Sequence, residues 1–260
     1  MVVVDDDIAL PQLPQPRGVA GTLFVHKIAG ALAEGGADLD AVTDAAKAAI
    51  KDMASIGTSL DTCTVPGSVK EDRIAPGMAE LGLGIHGEAG VEQVAFEGAK
   101  KAMNQVLEKL SSRLEEGSYV AILNNLGSTT PLEMSVLAHE LVTSKWATNI
   151  SHIVGPASMM TSLDMHGFSV SVLPLTEGNM AHLELPVALA AWPGMNKIAA
   201  ARLQPLPDGL SPIKPIPSGN TKTRALLDQC CDLLIAAESD LNALDAKSGD
   251  GDTGSTLSGA

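Results

Sequence analysis

The sequence predicts an α/β domain followed by a proline-rich spacer and a helical segment. Three observations predict it. Short apolar runs of strand length alternate with stretches of helical periodicity through the first two hundred or so residues. Five prolines then crowd residues 203–220, and beyond them one helix carries a broad apolar face. A 260-residue chain that is 45% hydrophobic can bury a sizeable core, in one large domain or two smaller ones.

Residues 1–4, Met-Val-Val-Val, read as a short buried strand ended by Asp5, Asp6 and Asp7. A chain that opens in mid-strand is expected to be an internal piece of a longer protein. After a turn at Pro11, Pro14 and Pro16, residues 18–33 and 39–54 have helical spacing. Residues 55–65 and 81–85 are candidate strands, 96–114 an amphipathic helix, and 119–123 an apolar strand that stops at Asn124-Asn125. That asparagine pair suits a turn or a pocket wall equally. A helix over 131–146, strands at 150–154 and 168–173, and an apolar segment to Ala191 complete the first part.

Pro205, Pro207, Pro212, Pro215 and Pro217 fix φ and lack amide donors, so 203–220 cannot lie inside a sheet or helix. The expected boundaries are therefore 1–202, a spacer at 203–220, and 221–260. In the last part residues 223–238 form a helix with Leu226, Leu227, Cys230, Leu233 and Leu234 on one face. One helix and one loop are too little for a domain, so a continuation is expected here too.

A formal net charge of -14 repels nucleic acids and anionic membranes, and 2% aromatic residues leave little for base stacking. Nucleic-acid and membrane partners are excluded on these grounds. An anionic ligand would need a local device, a metal ion or a helix N-terminus. The cysteines, Cys63, Cys230 and Cys231, are odd in number and include an adjacent pair, which fits a reducing cytoplasm. No run of eighteen apolar residues suggests a membrane span.

Two segments carry chemistry. In Leu81-Gly-Leu-Gly-Ile-His86-Gly-Glu88-Ala-Gly90 the glycines spell G-x-G-x-x-G, but no helix opens within the motif and no acid follows at the distance that a dinucleotide fingerprint requires. A Rossmann oxidoreductase is thus the weaker reading. Glycines flanking His86 let a small molecule approach the backbone, and a neutral imidazole is a competent nucleophile toward a carbonyl. The alternative is a loop histidine that only hydrogen-bonds its neighbours. His139, His152, His166 and His182 show no metal-ligand spacing.

The second segment, 244–256, places Asp245, Asp250 and Asp252 in a glycine-rich turn where three short carboxylates can converge on a hard cation. It does not match an EF-hand, since Gly254 falls where an oxygen ligand belongs. Thr253, Gly254, Ser255 and Thr256, if they open the next helix, can meet phosphate at its N-terminus. A metal–nucleotide site and an acidic surface turn both fit.

Together, Val-Val-Val-Asp-Asp-Asp at 2–7, Gly-Val-Ala-Gly-Thr at 18–22, Cys63-Thr-Val-Pro66, Gly82-Leu-Gly-Ile-His86-Gly-Glu88, Leu123-Asn-Asn-Leu-Gly127, Thr161-Ser-Leu-Asp-Met165 and the 244–254 loop resemble the dihydroxyacetone kinase family, in that family's order. The resemblance implies a mixed sheet with flanking helices, the second half of a ketone-binding domain, then the linker and the start of an all-α ATP-binding domain. It implies that His86 binds dihydroxyacetone as a hemiaminal, that Asp245, Asp250 and Asp252 hold Mg²⁺, and that Thr253 to Thr256 touch the phosphates of ATP. It also implies a cytoplasmic kinase of small ketones, erythrulose among them, and commonly a homodimer.

The family's Gly-His-Glu-Pro loop and the acid that activates the substrate hydroxyl would lie before residue 1, so this chain alone is expected to lack kinase activity. Both halves on one chain favour the ATP-dependent over the phosphoenolpyruvate-linked form. A non-catalytic, ketone-binding regulatory relative is the alternative.

Overall fold

The apolar runs of the first part assemble into one seven-stranded sheet in a computed structural model that describes residues 1–8, 17–114, 116–199, 205, 209 and 214–259. The strands are β1 (Ala54–Ser59), β2 (Met78–Leu81), β3 (Glu92–Ala95), β4 (Tyr119–Asn125), β5 (Ile150–Ala157), β6 (Gly167–Pro174) and β7 (Met195–Lys197). Their order is β3-β2-β1-β6-β4-β5-β7. Only β4 and β5 run parallel and every other pairing is antiparallel, so the sheet is mixed as expected.

Helices cover both faces, which is why 119–123 is apolar without alternation. Tyr119, Ala121 and Leu123 pack with Met103, Val106, Leu107 and Leu110 of α3 (Ala99–Leu110) and with Met134, Leu137 and Leu141 of α4 (Pro131–Val142). Val120 and Ile122 point the other way, to Phe24, Val25 and Ile28 of α1 (Thr22–Glu34), Ala46 and Ala49 of α2 (Leu39–Asp52) and Leu183 of α5 (Glu177–Glu184). Local signals start these helices where they do. Asp38 caps α2 by accepting from the Ala41 amide at 2.8 Å, and α4 opens with a reciprocal capping box between Thr130 and Glu133 ahead of Pro131.

Several elements differ from the sequence expectation. No strand forms at 1–4. Pairing falls later, as an isolated parallel bridge of Asp7 with Ser55, on the part of β1 that β2 leaves unpaired. The strands expected at 55–65 and 81–85 are instead Ala54–Ser59 and Met78–Leu81, and the residues beyond them form loops. β3 is polar and largely exposed, so hydrophobic pattern could not mark it. α5 lies inside what reads as one apolar segment to Ala191, and β7 lies beyond it. Helices expected at 96–114 and 131–146 are trimmed to α3, with one 3₁₀ turn after it, and α4.

The chain divides into two units, Met1–Ala201 and Arg202–Ala260. Most of the expected spacer, residues 203, 204, 206–208 and 210–213, lies outside the described residues, as do Pro11, Pro14 and Pro16. The second unit is helical: α6 (Thr221–Ala236), α7 (Glu238–Asp245) and α8 (Thr253–Ser258). The apolar face foreseen on α6 is exposed at Leu226, Leu227 and Leu233, and Cys230 and Cys231 are exposed beside it. Among the described residues no helix is long and apolar enough to cross a membrane.

Candidate active site

Four loops at one end of the sheet meet in a small core of their own. Cys63 comes from the loop after β1, Leu83 from the loop after β2, Leu126 from the loop after β4 and Met165 from the loop before β6, all buried, with Ile85 packed against them. Each lies in a motif that the sequence singles out. The loops are also tied by hydrogen bonds: the Ser162 amide donates to the Leu126 carbonyl at 2.7 Å, the Ser162 hydroxyl donates to the Ile85 carbonyl, and the Thr64 amide donates to the Leu163 carbonyl at 2.8 Å. Gly127, at φ +149°, has no room for a side chain, since a Cβ would stand 2.0 Å from the Ser162 carbonyl oxygen.

The asparagine pair turns out to fasten these loops. Asn124 is fully buried. Its Oδ1 accepts from the Met159 and Met160 amides at 3.0 and 2.9 Å, and its Nδ2 donates to the Met160 carbonyl at 2.7 Å. Asn125 closes the turn after β4 by donating to the Thr129 carbonyl at 2.6 Å and accepting from the Gly127 amide at 2.9 Å.

His86 sits near the tip of the loop between β2 and β3, with its side chain 80% exposed. Its amide donates to Glu88 Oε2 at 2.9 Å, and its Nδ1 lies 3.4 Å from Glu88 Oε1. The same carboxylate therefore holds the backbone and aims the ring, leaving Nε2 as the basic nitrogen when Nδ1 carries the proton. Burial pushes the Glu88 carboxyl up, but the amides of Glu88 and His86 and the adjacent imidazole outweigh it and hold the group below its ordinary value. A Cβ on Gly84 would fall 2.2 Å from Glu88 Oε2, so the glycine makes room for this carboxylate. Beside the loop is a cavity of about 170 Å³ lined by Cys63, Val65, Glu71, Arg73, His86 and Gly87.

Another cavity, also about 170 Å³, lies among Phe96, Ala102, Leu137 and Phe168, with His166 Nε2 3.0 Å from Glu133 Oε1 at its rim. Its walls are mostly apolar, with Thr58, Ser59, Thr129, Glu133 and His166 also on the lining.

In the second unit, Asp245, Asp250 and Asp252 converge, with one oxygen from each within 4.8 Å of the others. Asp245 Oδ2 accepts from the amides of Gly251, Asp252 and Thr253 at 2.9, 3.1 and 3.4 Å, which folds the loop over it. The Asp250 carboxylate beside Asp252 pushes that carboxyl up, and Asp245 adds to the effect. An all-oxygen donor set whose charges repel one another fits a hard divalent cation such as Mg²⁺. Thr253, Gly254, Ser255 and Thr256 do open a helix, α8, yet Ser255 is already engaged: its hydroxyl donates to Glu238 Oε1 at 2.9 Å and its amide to Asn242 Oδ1 at 3.1 Å. Gly254 is needed for packing, since a Cβ would lie 2.0 Å from the Glu238 carbonyl oxygen.

The first unit is thus a mixed α/β domain that carries a glycine-flanked histidine on the loop between β2 and β3. A family model, the Dak1 domain, matches residues 1–191, and the chain belongs to the dihydroxyacetone kinase family. It is 37% identical over 262 residues to a dihydroxyacetone kinase of Citrobacter freundii, covering 100% of this chain and 48% of that one. The crystal structure of the C. freundii kinase in complex with AMP-PNP and Mg²⁺ matches 99% of this chain and 48% of its own, with a TM-score of 0.77. The dihydroxyacetone kinase operon co-activator Dha-DhaQ matches 74% of this chain and 62% of its own at 27% identity, with a TM-score of 0.68. The chain spans about half the length of the Citrobacter relative.

Proposed function

We propose that the chain carries the ketone-binding residues of a kinase that transfers the γ-phosphate of ATP to dihydroxyacetone, with the ketone held as a hemiaminal on His86. The observation that carries this reading is the exposed imidazole whose Nδ1 faces Glu88 at 3.4 Å. Nε2 bonds to the carbonyl carbon as the carbonyl π pair moves to oxygen, which takes a proton from water; the Nδ1 proton passes to Glu88, and the hydroxide so formed takes it from there. The adduct is then neutral overall. An alcohol such as glycerol offers no electrophilic carbon and is refused, while erythrulose and other small ketoses meet the same chemistry.

On this reading residues 1–202 are the C-terminal part of the ketone-binding domain, 203–220 the linker, and 221–260 the start of the ATP-binding helical domain. Asp245, Asp250 and Asp252 would hold Mg²⁺, and Thr253, Gly254, Ser255 and Thr256 would line the phosphate side. The bound metal supplies charge neutralisation for in-line phosphoryl transfer. The name of the Citrobacter relative and the AMP-PNP and Mg²⁺ in its crystal structure support this assignment.

The test is carbon-13 NMR of the chain mixed with dihydroxyacetone labelled at the carbonyl carbon. An upfield signal from a tetrahedral carbon, absent in His86→Ala, is expected; no such signal in wild type overturns the assignment. The likeness to the DhaQ co-activator favours a second reading, a ketone sensor without transfer chemistry. Phosphorylation of the ketone by the longer protein in the presence of ATP and Mg²⁺ would exclude it.

A further inference from the structure

We infer that Arg17 is a positioning residue that fixes the presentation of His86 by bridging the two ends of its loop. The statement about the loop stands on geometry, and its bearing on ketone capture rests on the reading of His86 above. Arg17 Nη1 donates to the Gly82 carbonyl at 3.2 Å and to the Ala89 carbonyl at 2.9 Å, the first residue of the His86 loop and one near its last. No other described side chain makes a hydrogen bond to both ends.

The arginine is itself anchored. Its carbonyl accepts from the Asp7 amide at 3.2 Å. The two amides that follow it at Val19 and Gly21 donate to the buried carboxylate of Asp6, each at 2.7 Å, and Asp6 also accepts from the Ser55 hydroxyl on β1. The side chain thus extends from a segment locked to the sheet and not from a free surface loop.

The loop needs such a tie. It contains glycines at 82, 84, 87 and 90, and Gly82 and Gly87 lie at φ +69° and +98°, so its unfolded form has a large conformational entropy to lose. Its internal bonds are few: the Gly84 amide donates to the Glu88 carbonyl at 3.1 Å, the His86 amide donates to Glu88 Oε2 at 2.9 Å, and the Val91 amide closes the base on the Leu81 carbonyl at 2.9 Å. Arg73 touches the Glu88 carbonyl from the other flank at 3.4 Å, but it also pairs with the buried Glu80 at 2.9 Å, so removing it strands a carboxylate. Arg17 is the cleaner probe. Both bonds leave one nitrogen, Nη1, whose two N–H bonds are fixed in the guanidinium plane, whereas a lysine ammonium ends a shorter stem and its donors rotate freely.

The experiment is hydrogen exchange, followed by mass spectrometry, of peptides spanning 82–91 in wild type, Arg17→Ala and Arg17→Lys. Peptides from α1 and β4 report whether the fold is intact, and ketone-adduct formation is read on the same samples. Exchange across 82–91 should quicken about tenfold in Arg17→Ala and less in Arg17→Lys, with the reference peptides unchanged and the adduct reduced in the same order. Should the reference peptides also open in Arg17→Ala, the decision passes to Arg17→Lys, which keeps the charge and the aliphatic stem. Unchanged loop exchange in a folded variant overturns the inference, whatever the adduct does. Faster loop exchange with no adduct in wild type would support Arg17's role and overturn the reading of His86.

Discussion

At the scale of single residues, the site depends on atoms that are absent as much as on those present. Gly84 has no side chain because the Glu88 carboxylate occupies that space, and Glu88 in turn holds the backbone and ring of His86. Gly84→Ala should push Glu88 off the His86 amide while leaving the sheet intact. Loss of a hydrogen bond to a charged group costs about 1.5–3 kcal/mol of stability, so adduct formation should fall about tenfold or more and the melting temperature should drop by a few degrees. A mutant that captures ketone as well as wild type would show that Glu88 does not orient the ring. His86, Asp250 and Asp252 stood out in the sequence because glycines flank them, and Asp245 because it leads into the same loop. Arg17 did not, since nothing at position 17 reveals that its side chain ends at residues 82 and 89.

At the scale of elements, each loop is placed by the element that leads into it. α4 begins at Pro131 because Thr130 and Glu133 cap each other, and that start fixes the 126–130 turn against Ser162. Thr130→Ala should cost about 0.5–2 kcal/mol in chemical denaturation. A loss well below that range would mean that the turn is held by Asn125 alone. Helix starts of this kind are local, so they were legible in sequence, as were the buried runs of β4 and β6. β3, α5 and β7 were not, because a polar edge strand and two short elements have no periodicity to read.

At the scale of the whole molecule, a buried polar thread joins the N-terminal segment to the sheet: Asp6 accepts from the Ser55 hydroxyl, whose oxygen lies 2.6 Å from the Ser171 hydroxyl on the facing strand β6 and accepts from it in turn. Burial pushes the Asp6 carboxyl above its ordinary 3.8, outweighing the Ser55 hydroxyl and the amides that bind its anion. The folded state therefore holds this proton more tightly than the unfolded chain does. The contribution of Asp6 to stability is greatest below about 3.8 and declines as pH rises from there to the folded pKa, then stays level. Relative to Asp6→Asn, wild type should lose stability across that window in denaturation curves taken at stepped pH. A gain over the same window would mean that the hydrogen bonds to the anion dominate.

Local chemistry in the chain was enough to settle the α/β alternation and to single out the two glycine-rich segments, because apolar spacing and glycine flanks act over a few residues, while the asparagine pair stayed open between a turn and a pocket wall. Folding alone decided that Cys63, Leu83, Leu126 and Met165, spread over a hundred residues of sequence, form one small core beneath His86. It also decided that pairing of the N-terminal segment begins at Asp6 and not at Met1, and that Arg17 reaches the His86 loop. These contacts depend on which strand edges and loop ends the sheet brings together, and that is a property of long-range pairing that no local pattern encodes.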